Sequence, residues 1–148
     1  MRVLIQRVSQ ACLTIDGKEK SRISHGMVVL LGITHGDSLV EAQYLADKIT
    51  GLRIFSDTAG KMNLSIADSK GELLVVSQFT LHADCRRGRR PSFINAAPPD
   101  ISLPLYNEFV TMLRNKGFKV SDGEFGADMQ INLTNDGPVT IMLDSEDR

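Results

Sequence analysis

Cysteine is nearly missing from this chain: Cys12 and Cys85 are the only two among 148 residues. They have neither the paired spacing of a zinc site nor the density of a disulfide scaffold, so both are read as free thiols. Long hydrophobic runs are missing too. The longest, residues 27–33, is too short to cross a bilayer, and the first residues lack the basic, apolar and small-residue zones of a secretory leader. A cytoplasmic protein with no membrane partner is therefore the default expectation, and the glycosylation sequons at Asn63 and Asn132 are set aside. Nor is there an excess of one charge sign: 17 basic against 18 acidic residues exclude recruitment of a polyanion by net charge, so any nucleic-acid contact must be local. No glycine-rich phosphate loop or dinucleotide fingerprint occurs, and His25, His35 and His82 have no second ligand at metal-site spacing. Nucleotide hydrolysis, redox chemistry and metal catalysis lose their sequence basis, and neither metal nor cofactor is expected.

What is present is the patterning of one mixed domain covering residues 1–148. A chain of this length buries roughly 68–70% of its unfolded surface, enough for one core, and 42% hydrophobic with 24% charged residues is ordinary globular composition. Residues 3–15 alternate polar and apolar, Asp16-Gly17 supplies a tight hairpin, and residues 18–23 return. Met27-Val28-Val29-Leu30-Leu31 is continuously apolar and predicts a central strand buried on both faces. Asp37 can cap a helix reaching about Thr50, with Ala42, Leu45, Ile49 and Leu52 on one face; a second helix is predicted over 102–116, with Pro104 in its first turn and Gly117 as terminator. Residues 52–55 and 72–78 read as strands. Two further alternating runs, with Met129, Ile131 and Leu133 in one and Val139, Ile141 and Leu143 in the other, predict a hairpin whose tip is Asn135-Asp136-Gly137-Pro138. The acidic tail, residues 144–147, is expected to be loosely held. The fold class that follows is α/β, mixed and largely antiparallel, with layered or barrel-like sheet packed against two main helices.

Three segments carry residue types suited to chemistry. Ser77-Gln78-Phe79-Thr80-Leu81 stands where a core strand emerges into polar His82-Ala83-Asp84, and strand ends are where rigid scaffolds present reactive groups. The same residues also read as plain hydroxyls closing a strand. Cys85-Arg86-Arg87-Gly88-Arg89-Arg90-Pro91 sets four arginines in five positions with Asp84 as the one close acid: either a phosphate grip or a solvated charged loop. A cysteine-phosphatase loop is excluded, because the arginine it requires falls on Pro91, which has neither charge nor donor. In Asn135-Asp136-Gly137-Pro138-Val139-Thr140 the proline cannot join a ladder and can adopt cis geometry, so adjacent carbonyls can be fixed outward, where they could measure a ligand's chirality; the alternative is an ordinary tight turn.

Together these segments resemble the D-aminoacyl-tRNA deacylases, whose signatures are a Ser-Gln-Phe-Thr-Leu run and an Asn-x-Gly-Pro-Val-Thr run, both uninterrupted here. The likeness extends through Ile5-Gln6-Arg7-Val8, Leu52-Arg53-Ile54-Phe55, Gly60-Lys61-Met62-Asn63, Arg90-Pro91-Ser92-Phe93, Leu105-Tyr106 and Phe125-Gly126-Ala127-Asp128-Met129. The resemblance implies hydrolysis of D-aminoacyl-tRNA by a homodimer in which Gly137-Pro138 of each protomer, joined by a cis bond, enters the partner's site beside Ser77, Gln78, Phe79 and Thr80. L-amino acids are then excluded, while D-amino acids and glycine are admitted, including glycine mischarged on tRNA-Ala. On this reading the backbone N–H groups of Phe79 and Thr80 receive the oxyanion, Ser77 and Gln78 orient ribose and amino group, and Thr80 is either nucleophile or positioning hydroxyl. Phe125 and Met129 form the pocket for the terminal adenine or are core. Arg86, Arg87, Arg89 and Arg90 are assigned to tRNA phosphates by charge alone. Ser102 departs from the alanine common in the family, which bears on substrate preference. Two rival readings stay open: an RNA-binding accessory without catalysis, and a structural dimerisation module in which the arginines only solubilise.

Overall fold

In the computed structural model, which describes residues 1–148, the opening alternation forms strand β1 (Arg2–Ile15). Asp16 and Gly17 take φ of 51° and 72°, the paired left-handed geometry of a two-residue hairpin, and lead into β2 (Lys18–Ile23). There follow β3 (Gly26–Gly32), α1 (Leu39–Gly51), the short antiparallel pair β4 (Phe55–Ser56) and β5 (Met62–Leu64), β6 (Glu72–Ser77), a 3-10 helix (Phe79–His82), α2 (Pro99–Asn115), β7 (Val120–Asp122) and β8 (Gln130–Asp144). The main sheet runs β2-β1-β3-β6-β7, with β8 along the other edge of β1, and it curves into a nearly closed barrel as the Ser21 hydroxyl of β2 donates to the Asp122 carbonyl of β7.

The pairings β3–β6 and β6–β7 are parallel, so the sheet is more mixed than the sequence suggested. Parallel neighbours require crossovers, and here α1 and α2 supply them. Both helices pack on one face, and period-2 alternation sorts each strand between two cores. Val3, Ile5, Met27, Val29, Leu31, Leu73 and Val75 face the helices, whereas Val8, Ala11, Leu13, Val28, Leu74 and Val76 form a second cluster on the opposite face. At roughly 1.5–3 kcal/mol for each fully buried aliphatic side chain, this double burial fixes β3 and β6, and with them the strand ends that carry the site.

Four expectations need correction. Residues 130–144 are not a hairpin but one strand, β8, antiparallel to the whole of β1; the register passes from Val8↔Asn135 directly to Gln6↔Thr140, so residues 136–139 bulge out opposite Arg7. The alternating runs on either side of the bulge belong to one strand but serve different cores, Ile131 and Leu133 the second cluster and Val139, Ile141 and Leu143 the helix-side core, so the strand reads in sequence like two strands and a turn. Helix α2 starts at Pro99, not near Ser102, so Pro104 lies inside it. Pro99 takes the N1 place that suits a proline, and the carbonyl deprived of a partner by Pro104 belongs to Asp100, in the exposed first turn. Asp37 does not cap α1. Ser38 does, in a capping box with Glu41, while Asp37 accepts from the Thr34 N–H at 2.7 Å and the Met1 ammonium at 2.6 Å. The tail is docked: Ser145 is buried, its N–H donates to the Met1 carbonyl, and its hydroxyl meets the Met1 ammonium at 2.8 Å.

Candidate active site

Ser77 ends β6 beside Leu31 of β3, and the Gln78 N–H still donates to the Leu31 carbonyl at 2.8 Å. The chain then leaves the sheet as the 3-10 helix Phe79–His82, closed by Leu81 N–H on Gln78 O (3.2 Å) and Ala83 N–H on Thr80 O (3.0 Å). This helix lies against β3 because Gly32 has no side chain. A Cβ there would stand 2.9 Å from Leu81 Cβ and 3.0 Å from the Gln78 carbonyl. The first N–H groups of a 3-10 helix have no intrahelical acceptor, so those of Phe79 and Thr80 are available to a ligand. The Gln78 side-chain amide donates to Thr80 Oγ1 at 2.5 Å, and no histidine bonds to that hydroxyl.

Beside this segment opens a cavity of about 370 Å³, lined by Ser77, Gln78 and Phe79 at the rim and by Leu31, Ile33 and Phe125 deeper in. Phe125 is held by Tyr106, ring centroids 6.0 Å apart, and the Tyr106 hydroxyl donates to the buried Val75 carbonyl at 2.9 Å. Burial raises the Tyr106 pKa, so the phenol remains a donor. Ser102 also lines the cavity, with its hydroxyl donating to the Pro98 carbonyl at 3.0 Å rather than into the space. Met129 does not line it: Met129 packs against the second core cluster, its sulfur where a Cβ on Gly123 would fall. Phe79 and Phe93 meet edge to face at the mouth, centroids 5.0 Å apart.

Residues 85–91 form an exposed loop closed at its base by Asp84 and Ser92, which exchange two backbone hydrogen bonds of 2.8 and 2.9 Å. Arg86 folds back on Asp84, and its hydrogen bonds hold that carboxyl at about 2. Arg87, Arg89 and Arg90 are exposed and have no carboxylate partner. Cys85 is an exposed free thiol. No three His, Cys, Asp or Glu side chains converge as a metal-ligating cluster.

The second signature lies apart from this cavity. Gly137 and Pro138 are exposed at the 136–139 bulge, line none of the cavity's walls, and are joined by a cis bond, the isomer the resemblance implied. Sequence reasoning missed the residue that holds them. Arg7 is only 8% exposed; its Nε donates to the Asp136 carbonyl at 3.0 Å and its Nη1 to the buried Ile54 carbonyl at 2.6 Å, with the Asp136 carboxylate 3.3 Å away. Asn135 closes the base of the bulge, accepting from Val139 N–H at 3.1 Å and donating to Thr140 Oγ1 at 2.8 Å. The signal was there in β1: positions 3 and 5 are inward and apolar, so an arginine at 7 must have partners to be buried.

His82 is 5% exposed and its Nε2 has no partner. Burial pushes its pKa below the ordinary histidine value. The folded protein thus prefers neutral His82, while the unfolded chain takes up the proton below about pH 6.5, so stability is complete above that value and is lost as pH falls toward the folded pKa. Melting temperature should be flat from about pH 7 to 8 and decline below about 6.5, and the decline should be shallower in His82→Leu; equal slopes would contradict this. Glu41, bonded by Ser38, and Asp84, both near 2, act only at more acid pH.

A family model described as D-Tyr-tRNA(Tyr) deacylase matches residues 4–144. A D-aminoacyl-tRNA deacylase of Thermosipho africanus is 56% identical over 146 residues, covering 99% of this chain and 98% of the relative. One from Geobacillus sp. is 51% identical over 148 residues, covering 100% and 97%. Among solved structures, c-Myc DNA unwinding element binding protein superposes with TM-score 0.92 at 41% identity, covering 97% of this chain and 98% of that one. A probable eukaryotic D-amino acid tRNA deacylase reaches TM-score 0.85 at 18% identity over 96% and 97%, a likeness of fold alone.

Proposed function

The chain belongs to the D-Tyr-tRNA(Tyr) deacylase family and is a D-aminoacyl-tRNA deacylase, a hydrolase; on that premise we propose that two protomers build each active site, the bulge of one closing the cavity of the other against L-amino acids. The observation that carries this reading is the separation of the two signatures within one chain. Ser77, Gln78 and Phe79 border the cavity, while Gly137 and Pro138 stand exposed outside it on an anchored bulge. A second copy related by a two-fold axis would bring them together twice.

An aminoacyl ester is already reactive, so the chemistry needs positioned water and a place for negative charge rather than a strong acid. Water oxygen attacks the ester carbonyl carbon, the oxyanion is received by the N–H groups of Phe79 and Thr80, and the carbon–oxygen bond to ribose then breaks with the proton passing to the ribose oxygen. Ser77 and Gln78 orient the ribose and amino group. Thr80 Oγ1, already accepting from Gln78, serves to position them rather than to attack, and the neighbouring ribose 2′-hydroxyl assists the water. The terminal adenine stacks on Phe125 in the cavity, and Arg87, Arg89 and Arg90 take phosphates, with Arg86 shared with Asp84. Because selection is by exclusion at the α-carbon, glycine passes, which admits glycine mischarged on tRNA-Ala. The setting is cytoplasmic.

The test is turnover of D-Tyr-tRNA against L-Tyr-tRNA without added metal. D-selective cleavage is expected, and equal cleavage of both would remove the exclusion mechanism. Thr80→Ala should retain measurable turnover; loss of all activity with substrate binding intact, or a trapped acyl-threonine, would make Thr80 the nucleophile.

A further inference from the structure

We propose that Phe93 is a positioning residue that transmits phosphate binding at the arginine loop to the ester-cleaving segment, so that the enzyme turns over fastest when the ester is attached to a polynucleotide. This rests on the reading above, in which Phe79 N–H receives the oxyanion and the loop meets tRNA phosphates.

The connection is a short one. The loop is pinched at its base by the Asp84–Ser92 backbone pair, and Phe93 is the next residue. On the far side the chain is pinned again: Ala97 N–H donates to Ile33 O at 3.0 Å, Thr34 Oγ1 to Asn95 O at 2.5 Å, and Thr34 pairs with Ala96. Phe93 therefore sits between two fixed points, and its ring abuts Phe79 at 5.0 Å and 76°. Phe79 opens the 3-10 helix whose other end leads directly to Asp84, so the loop base reaches the helix from both sides, once through the chain and once through the ring pair.

A driving force exists as well. Three of the four arginines are exposed with no carboxylate partner, so phosphates would meet their charge uncompensated. Load placed on the loop by bound phosphates passes through the Asp84–Ser92 pair to Phe93, and Phe93 holds Phe79 in place. Edge-to-face pairs contribute beyond area burial and are directional, so an aromatic is needed at position 93, not merely bulk. Placement errors near 1 Å at a reacting centre cost up to about 100-fold in rate, which leaves room for a large effect from a residue at the cavity mouth that acts through Phe79.

The experiment measures kcat on D-Tyr-tRNA and on 3′-D-tyrosyl-adenosine, which carries no phosphate, for the wild type, Phe93→Ala, Phe93→Tyr, the triple Arg87→Ala/Arg89→Ala/Arg90→Ala, and the triple combined with Phe93→Ala. The ratio of kcat on tRNA to kcat on the adenosine ester should exceed about tenfold in the wild type. Phe93→Ala and the triple variant should each lower that ratio to a similar value. The combined variant should lower it no further, because both act on one path, and Phe93→Tyr should preserve it. Phe93 is 39% exposed, so the fold should survive its removal, with melting temperature as the check. A wild-type ratio near one, a Phe93→Ala ratio equal to the wild type's, or losses that multiply in the combined variant would each overturn the proposal. Failure of the wild type to cleave either ester would instead sink the reading on which it rests.

Discussion

Alanine at position 137 should lower kcat/KM on D-Tyr-tRNA by at least about 100-fold, the scale on which small misplacements at a reacting centre act. Gly137 has φ of 127°, a region that side chains rarely enter, and an added Cβ would lie 2.8 Å from Val139 Cγ2 and 2.9 Å from Arg7 Nη2. Neither neighbour can yield freely, since Val139 N–H is bonded to Asn135 and Arg7 is held at Asp136 and Ile54. The bulge must deform at its exposed crest while β8 on either side stays paired with β1, so melting temperature should change by only a few degrees. Mixing decides where the damage acts. Gly137→Ala protomers combined with cavity-defective Gln78→Ala/Phe125→Ala protomers should recover up to about a quarter of wild-type activity, since half the dimers are mixed and each holds one intact site. Mixed dimers that form without regaining activity would show that bulge and cavity do not cooperate between protomers.

Replacing Arg7 by leucine should cost both turnover and selectivity. It removes the donors to the Asp136 and Ile54 carbonyls, a loss of about 1–3 kcal/mol for the buried Ile54 acceptor left unpaired. It also frees the bulge to move. A fall of about 100-fold in kcat/KM on the D ester is expected, together with a narrowing of the D-to-L ratio, because an unanchored wedge no longer excludes cleanly. Arg7→Lys should rescue little, since one ammonium cannot reproduce a fork that bridges two carbonyls. A reduced rate with an undiminished D-to-L ratio would confine Arg7 to stability and take it out of selection.

Much of this architecture was legible because it rests on local rules. Alternation in β1, the Asp16-Gly17 turn and the apolar run of β3 all read correctly, and so did the end of β6 at the first signature. What escaped depends on partners far apart in the chain. Three-residue β7 takes its strand geometry from β6 next to it rather than from its own sequence. The bulge mimicked a hairpin tip because periodicity records which face a residue occupies, not which strand it pairs with. Phe125 and Met129 looked alike as apolar residues four apart, yet one turns to the cavity and the other to the second core, a difference set by Gly123 and Tyr106. Arg7 stood in a strand read for its apolar neighbours, and Phe93 has a role only through a ring 14 positions away.

The bulge is made of main chain, and its posture is set by three neighbours, Arg7, Asn135 and the absent side chain of Gly137. If it is the part that rejects the wrong enantiomer, mutation has few handles on stereochemical accuracy: exchanging side chains elsewhere on the crest leaves the peptide groups where they were. Such a checkpoint would drift little while the surrounding sequence diverged freely, and would fail abruptly when one of its three fasteners was lost.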